Sequence, residues 1–237
     1  MAISDLELPP GVFARTYATP EALAEAQAIA VAEALRIAIE SRGQATLVVS
    51  GGRSPIAFFE ALAQQPLHWH KVTISLADER WVPINQASSN GGLVRRHLLR
   101  GPAAEARFLG LYRVASSLQQ AAELADASLV ELPPIDVLVL GMGDDGHTAS
   151  LFPNSPNLKL ALQLDCPHRV LPMQAPSEPV ERLSLTLPLL SAARLSLLAI
   201  QGQDKLATLR AALAGGDVTS MPIRALLHSP LEIYWCP

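Results

Sequence analysis

Cysteine is nearly absent: Cys166 and Cys236 are the only two among 237 residues. They lack C-x-x-C spacing and sit in no Cys/His cluster. A disulfide framework and a structural zinc site are therefore not expected, and two buried thiols in a reducing compartment are. Charge is scarce as well, at 17%. Eighteen Lys+Arg oppose 22 Asp+Glu, for a net charge of -4, and no basic run occurs. That balance argues against nucleic acid or an anionic membrane as a partner. No uncharged apolar run reaches the roughly 18–20 residues that a membrane span needs. The opening MAISDLELPPGVF places Asp5 and Glu7 before any base and has no apolar core, so neither a secretory signal nor a transit peptide is expected. The expectation is a soluble cytoplasmic protein.

Apolar residues are plentiful, at 49%. A chain of this length and composition can bury a large core without staples, and wholesale disorder is excluded. There is no repeat, low-complexity tract or linker, so residues 1–237 are expected to form one compact domain. After an entry strand around VFARTYA, Thr19-Pro20-Glu21 predicts a helix start and Gly43 its end. Leu23, Ala26, Ile29, Ala30, Ala32 and Ile37 are expected near one face of that helix. ATLVVSGG, KVTISLADE, IDVLVLGMGDDG, HRVLPM, RLSLTLP, LSLLAIQG and LEIYWC read as strands. Helices are expected at 55–64, 87–99, 115–131 and 203–214, with a short one after Met221-Pro222. Alternating helices and buried apolar runs predict an α/β, Rossmann-like domain. Its sheet should be mostly parallel, with helices on both faces.

In such sheets ligands bind outside the carboxyl ends of the strands, and three segments there carry unusual residues. Ser50-Gly51-Gly52-Arg53-Ser54-Pro55 runs from a strand into a helix. Its glycines, free N–H groups, Arg53 and hydroxyls suit an anion, although GxxxxGK[ST] is absent and a tight turn would need the same glycines. Ala77-Asp78-Glu79-Arg80 puts three charges at the end of a buried strand. Arg80 is placed to hold a phosphate or polarise a carbonyl, Asp78 to orient a base or a sugar hydroxyl, and a solvated salt-bridged loop is the alternative. Gly141-Met142-Gly143-Asp144-Asp145-Gly146-His147 satisfies GxGxxG, with Asp165 downstream. Two acids in the turn would repel a pyrophosphate, however, and Pro153 comes too soon for a Rossmann helix. Asp145 and His147 instead look like a carboxylate orienting an imidazole, a group that titrates near neutral pH. Lys205 is a further phosphate candidate beside Gly202. No histidine has metal-ligand spacing, and no Ser or Cys sits in a nucleophile elbow.

Taken together, SGGRSP, ADERWVP with Ser89-Asn90 downstream, GMGDDGHTASLFP, RLSLT and QGQDKL resemble the 6-phosphogluconolactonase family over roughly residues 45–210. The resemblance implies hydrolysis of 6-phosphoglucono-δ-lactone to 6-phosphogluconate, the second step of the oxidative pentose phosphate pathway. It implies a fold shared with glucosamine-6-phosphate deaminases and ribose-5-phosphate isomerase. It implies no metal and no cofactor, a small phosphosugar lactone as partner, and a monomer or small homo-oligomer. His147 would be the general base and Asp145 its partner. Arg80, Lys205, Gly51 and Gly52 would touch phosphate and lactone oxygens, with Arg53 and Ser54 in the same loop and Arg182 also facing the site. Two departures stand out: Arg53-Ser54 replaces the usual Ser-Thr of the loop, and Ser88 stands where an acid often precedes Ser-Asn. The rival readings are an aldose–ketose isomerase or deaminase on the same fold, a non-catalytic phosphosugar sensor, and a dinucleotide oxidoreductase. Deaminases carry DGHIAFNEP-like residues, whereas here Ser150-Leu151-Phe152 follow and no acid comes before Asp165.

Overall fold

The computed structural model describes residues 3–228 and 230–237. In chain order the elements are β1 (Val12–Thr16), α1 (Pro20–Arg42), β2 (Ala45–Val49), α2 (Ile56–Ala63), β3 (Val72–Leu76), β4 (Asp78–Arg80), α3 (Asn90–His97), β5 (Arg107–Leu109), α4 (Leu118–Ser128), β6 (Val137–Leu140), α5 (Leu158–Ala161), β7 (Val170–Gln174), β8 (Glu181–Leu185), α6 (Leu187–Ser191), β9 (Leu195–Gln201), α7 (Gln203–Leu213) and β10 (Leu231–Cys236). A 3-10 turn spans Pro222–Leu226. No helix among the described residues is long and apolar enough to cross a membrane.

Seven strands form one parallel sheet in the order β1-β10-β9-β6-β2-β3-β5. Every residue of β2 and β6 is buried. Side chains alternate between the faces of a strand, so both faces of the sheet's centre are covered. This is the expected α/β arrangement, built on one continuous core. From β2 the chain moves on to β3 on one side. From β6 its next strand in this sheet is β9, on the other side. The connections diverge between β2 and β6, which opens a crevice above their carboxyl ends.

The helix α1 begins and ends where expected. Ala22 donates its N–H to Thr19 Oγ1 at 3.2 Å, and Gly43, left-handed at φ 78°, donates to the Ile39 carbonyl at 2.8 Å. Its buried face matches the expected one in part: Leu23 and Ala32 are buried, and Ala26 and Ala30 are half-buried against the core. Ile29 and Ile37 are 54% and 51% exposed, while Ala24, Gln27, Ala28, Val31, Leu35 and Ala38 are buried. At 100° per residue these form one arc, and Ile29 and Ile37 fall outside it beside Glu33 and Glu40. The alanines pack α1 closely on β2 and α2, and Leu23, Val31, Leu35 and Ile39 supply the larger apolar side chains of the buried face.

A second departure concerns the sheet. KVTISLADE is two strands, and HRVLPM and RLSLTLP do not join the parallel sheet. β4, β8 and β7 form a separate antiparallel sheet in that order. The chain changes sheets at Ala77: its N–H donates to Val49 O at 2.9 Å, and its own carbonyl accepts from Leu185 N at 2.9 Å. Strand β5, a three-residue edge strand, was not anticipated, being too short to show an alternation.

At the opposite end of the strands, buried Asp136 fastens three elements. Its carboxylate accepts from Thr46 N at 2.8 Å and from Arg42 Nη2 at 2.6 Å. Asp136→Ala should lower unfolding free energy by about 2 kcal/mol in urea titrations, since it strands a buried N–H. Asp136→Asn, which keeps one acceptor, should cost less.

Candidate active site

A cleft of about 590 Å³ lies over the carboxyl ends of β2, β6 and β9. It is lined by Gly51, Gly52, Arg53, Ser54, Asp78, Arg80, His147, Arg182 and Lys205, which are nine of the ten residues singled out in the sequence. The tenth, Asp145, is bonded to His147.

The turn after β6 carries the pair. Gly143 donates its N–H to His147 O at 2.8 Å and Gly146 to Gly143 O at 3.1 Å, which curls the backbone beneath the imidazole. A Cβ on Gly143 would lie 2.0 Å from His147 Nδ1, so only glycine leaves room for the ring. Asp145 Oδ1 lies 2.5 Å from His147 Nδ1 and also accepts the His147 backbone N–H at 3.0 Å. The carboxylate therefore fixes the tautomer with hydrogen on Nδ1 and leaves Nε2 free as a base. Burial would push the Asp145 carboxyl up, but the His147 N–H, the imidazole's charge and their hydrogen bond outweigh it and hold Asp145 below its usual value. The ring packs on Phe152, 4.3 Å between centroids. No long helix follows this turn; the next, α5, has four residues, so the GxGxxG match frames no dinucleotide site.

On the facing wall, β4 and β8 place Arg80 directly opposite Arg182. Opposed residues of antiparallel strands share a face, so the two arginines leave the same face and the charge of Arg80 acts on Arg182. Arg80 Nη1 donates to Ser88 O and Asn90 Oδ1, both at 2.8 Å, while its buried Nε has no partner among the described residues. Arg182 donates Nε–H to Pro179 O at 2.7 Å and stacks over Phe152 at 5.6 Å. Burial pulls the Arg182 guanidinium down and Arg80 adds to this, against the opposing pull of Asp78 and Glu79. Two like charges held together at a cleft, one with a spare donor, are suited to binding an anion.

Asp78 does not touch the imidazole. It accepts from Ser150 Oγ at 2.6 Å and from Asn90 Nδ2 at 3.4 Å, so of the two carboxylates considered for His147 only Asp145 is bonded to it. Lys205, in the first turn of α7, is 2.7 Å from the exposed Asp144 carboxylate. That pair is weak enough to be exchanged for a ligand anion. Arg53 and Ser54 are exposed on the rim. Replacement of an acid by Ser88 leaves the Arg80 contact untouched, because the acceptor is a backbone carbonyl.

Four contributors were given no role from the sequence, although Glu79, Asn90 and Phe152 stand in the segments singled out there. Asn90 accepts from Arg80, donates to Asp78 O at 2.9 Å, and fills the space where a Cβ on Gly51 would lie, 1.9 Å from its Oδ1. Gly51 thus serves a close approach of Asn90. Gly52 is needed for its backbone, at φ +100°. Buried Glu79 accepts the N–H groups of Arg80, Asn90 and Gly91 and the Ser89 hydroxyl, tying β4 to the start of α3. Burial raises the Glu79 carboxyl and the three backbone bonds oppose it. Phe152 and Gln27 complete the set. Gln27 had one visible signal, a polar residue within the buried stripe of α1.

A parallel α/β sheet whose diverging connections hold a cationic cleft with an Asp–His pair defines a protein built for a small anionic substrate. The description "glucosamine-6-phosphate isomerases/6-phosphogluconolactonase" matches residues 18–235. The chain is 61% identical to a 6-phosphogluconolactonase of Pseudomonas putida, covering 100% of this chain and 98% of that one. It is 62% identical to one of Pseudomonas aeruginosa, covering 100% of both. The crystal structure of a 6-phosphogluconolactonase from Shewanella baltica superposes with a TM-score of 0.93 at 38% identity, covering 98% of this chain and 100% of that one. The chain belongs to the glucosamine-6-phosphate isomerase/6-phosphogluconolactonase family.

Because Asp145 is held below its unfolded value, its ionised form stabilises the fold above the usual aspartate range, and the benefit disappears as pH falls through the depressed value. Melting temperatures of the wild-type chain and Asp145→Asn should therefore differ at neutral pH and converge in acid. Gly51→Ala should lower the melting temperature and weaken anion binding together, because its Cβ displaces Asn90 from Arg80.

Proposed function

We propose that this chain hydrolyses 6-phosphoglucono-δ-lactone to 6-phosphogluconate with His147 as general base and no covalent intermediate. The observation that carries this reading is the Asp145–His147 pair in the same cleft as the opposed Arg80 and Arg182. It combines a neutral base with charge able to hold a phosphoryl group or a developing oxyanion. The full-length likeness to proteins named 6-phosphogluconolactonase supports the same substrate.

A δ-lactone is an activated ester, so one base and one oxyanion site suffice, each contributing on the order of 10²–10³-fold. In this reading His147 Nε2 accepts a proton as the water oxygen bonds to C1. The lactone carbonyl oxygen takes up the negative charge, facing a guanidinium or the N–H groups of the glycine loop. Asp145 stabilises the imidazolium across Nδ1–H. The C1–O5 bond then breaks, O5 receives the proton from Nε2, and the new carboxylic acid ionises. Cations elsewhere in the cleft hold the phosphate, so that binding energy remote from C1 fixes its position against the base. Arg80, Arg182, Lys205, Arg53 and Ser54 are the candidates for these anion contacts, with Asp78 holding Ser150 and Asn90 behind them. The two unpaired cysteines fit a cytoplasmic enzyme.

Isomerisation or deamination needs an acid to move a proton between C2 and C1. Thr148-Ala149-Ser150-Leu151-Phe152 supplies none, and the Phe152 ring occupies the flank of the imidazole. This favours hydrolysis. The test generates the lactone in situ from glucose 6-phosphate with a dehydrogenase and follows its disappearance. The wild-type chain should far exceed the spontaneous rate. His147→Ala should lose about 10²–10⁴-fold in kcat. Absence of any acceleration by the wild-type chain refutes the assignment, and full activity of a folded His147→Ala refutes the base.

A further inference from the structure

Among the described residues, four buried side-chain polar atoms have no hydrogen-bond partner: Gln27 Nε2, Thr46 Oγ1, Ser50 Oγ and Arg80 Nε. Three of these four residues, all but Thr46, line the same cleft. Arg80 belongs to the anion-binding wall. Gln27 and Ser50 have no such explanation. Gln27 is 2% exposed and sits among Leu23, Ala24, Ala28 and Val31 on the buried stripe of α1. A leucine or methionine there would fill similar volume without stranding a donor. An unmet buried N–H carries the full desolvation cost of that group. Ser50, at the point where β2 opens into the glycine loop, repeats the pattern with a hydroxyl.

We infer that Gln27 and Ser50 form an uncharged end of the cleft that hydrogen-bonds a ring hydroxyl of the phosphosugar and so determines which sugar is accepted. The inference rests on the lactonase reading and extends it to specificity. A carboxamide and a hydroxyl match a neutral alcohol. A phosphate dianion is better served by Arg80, Arg182 and Lys205, which line the same cleft, and the other α1 residues that reach it, Leu23 and Ala24, are apolar. Donors already stripped of water discriminate strongly. A substrate that lacks the matching oxygen leaves them unpaired, while the right one satisfies them.

The test measures kcat/KM for the full chain, Gln27→Leu and Ser50→Ala. The substrates are 6-phosphogluconolactone, its 2-deoxy and 3-deoxy analogues, its C4 epimer and unphosphorylated gluconolactone, each made by chemical oxidation. The wild-type chain should prefer the parent over one altered sugar by tenfold or more. Gln27→Leu should lose about ten- to a hundredfold on the parent and little on that analogue, so the preference collapses. Its melting temperature should equal or exceed the wild-type value, because the stranded donor is gone. Ser50→Ala should erode the same preference. Retention of the full preference by both variants overturns the inference. So does a fall in melting temperature that accounts for the lost activity, which would mark Gln27 as a structural residue. A Gln27→Leu defect that vanishes on unphosphorylated gluconolactone assigns the contact to phosphate and equally overturns it. If the wild-type chain turns over no lactone, the lactonase reading itself fails, and this inference fails with it.

Discussion

The step of the chain at Ala77 sets the geometry of everything above the sheet. One residue donates to β2 of the parallel sheet and accepts from β8 of the antiparallel one. It therefore locks the two sheets at a fixed offset through backbone hydrogen bonds, which side-chain motion cannot relax. The consequence is that Asp78, Glu79 and Arg80 leave the parallel sheet and pair with β8, where Asp78 and Arg80 line the cleft. Without that change of sheet, β3 would carry its charges past the crevice, and Arg80 would have no Arg182 beside it.

The cleft is assembled by polar groups that the rest of the fold holds rigid. Glu79 supplies a buried carboxylate to the first N–H groups of α3. Those bonds seat Asn90, which in turn grips Arg80 and presses against Gly51. The glycine loop, β4 and the start of α3 are thereby fixed to one another by a single amide side chain. Facing this rigid wall, the Asp145–His147 turn is held by its own backbone bonds and by the Phe152 ring. The two halves of the proposed chemistry, base and cation, sit on separate scaffolds, and the substrate would bridge them.

The same cleft concentrates features that disfavour the folded state: two arginines in register and unpartnered buried polar atoms on Gln27, Ser50 and Arg80. In a core otherwise filled by leucine, valine and alanine, such groups are expected to cluster only where a ligand offsets their cost.

Local chemistry was legible in the sequence wherever neighbouring residues decide it. The Thr19 cap and Gly43 stop of α1, the buried runs of β2 and β6, and the Asp145–His147 spacing all depend on residues a few positions apart. The parallel sheet followed from the alternation of apolar runs and helices. The buried face of α1 was legible only in part, with Leu23 and Ala32 on it but Ile29 and Ile37 exposed, because an alanine-rich helix offers apolar residues on more than one face. The second sheet was missed because parallel and antiparallel strands of this length carry the same pattern. Asn90, Glu79 and Gln27 went unrecognised as parts of the site because nothing in their own segments specifies which distant groups they meet. The sequence by itself therefore determined most of the elements, the caps of α1 and the pairing of Asp145 with His147. Only the tertiary structure decided that Arg80 stands opposite Arg182, that Asn90 fills the space over Gly51, and that Gln27 reaches the cleft. Those contacts are set by which strands pair and in what register, and pairing depends on the whole packed core.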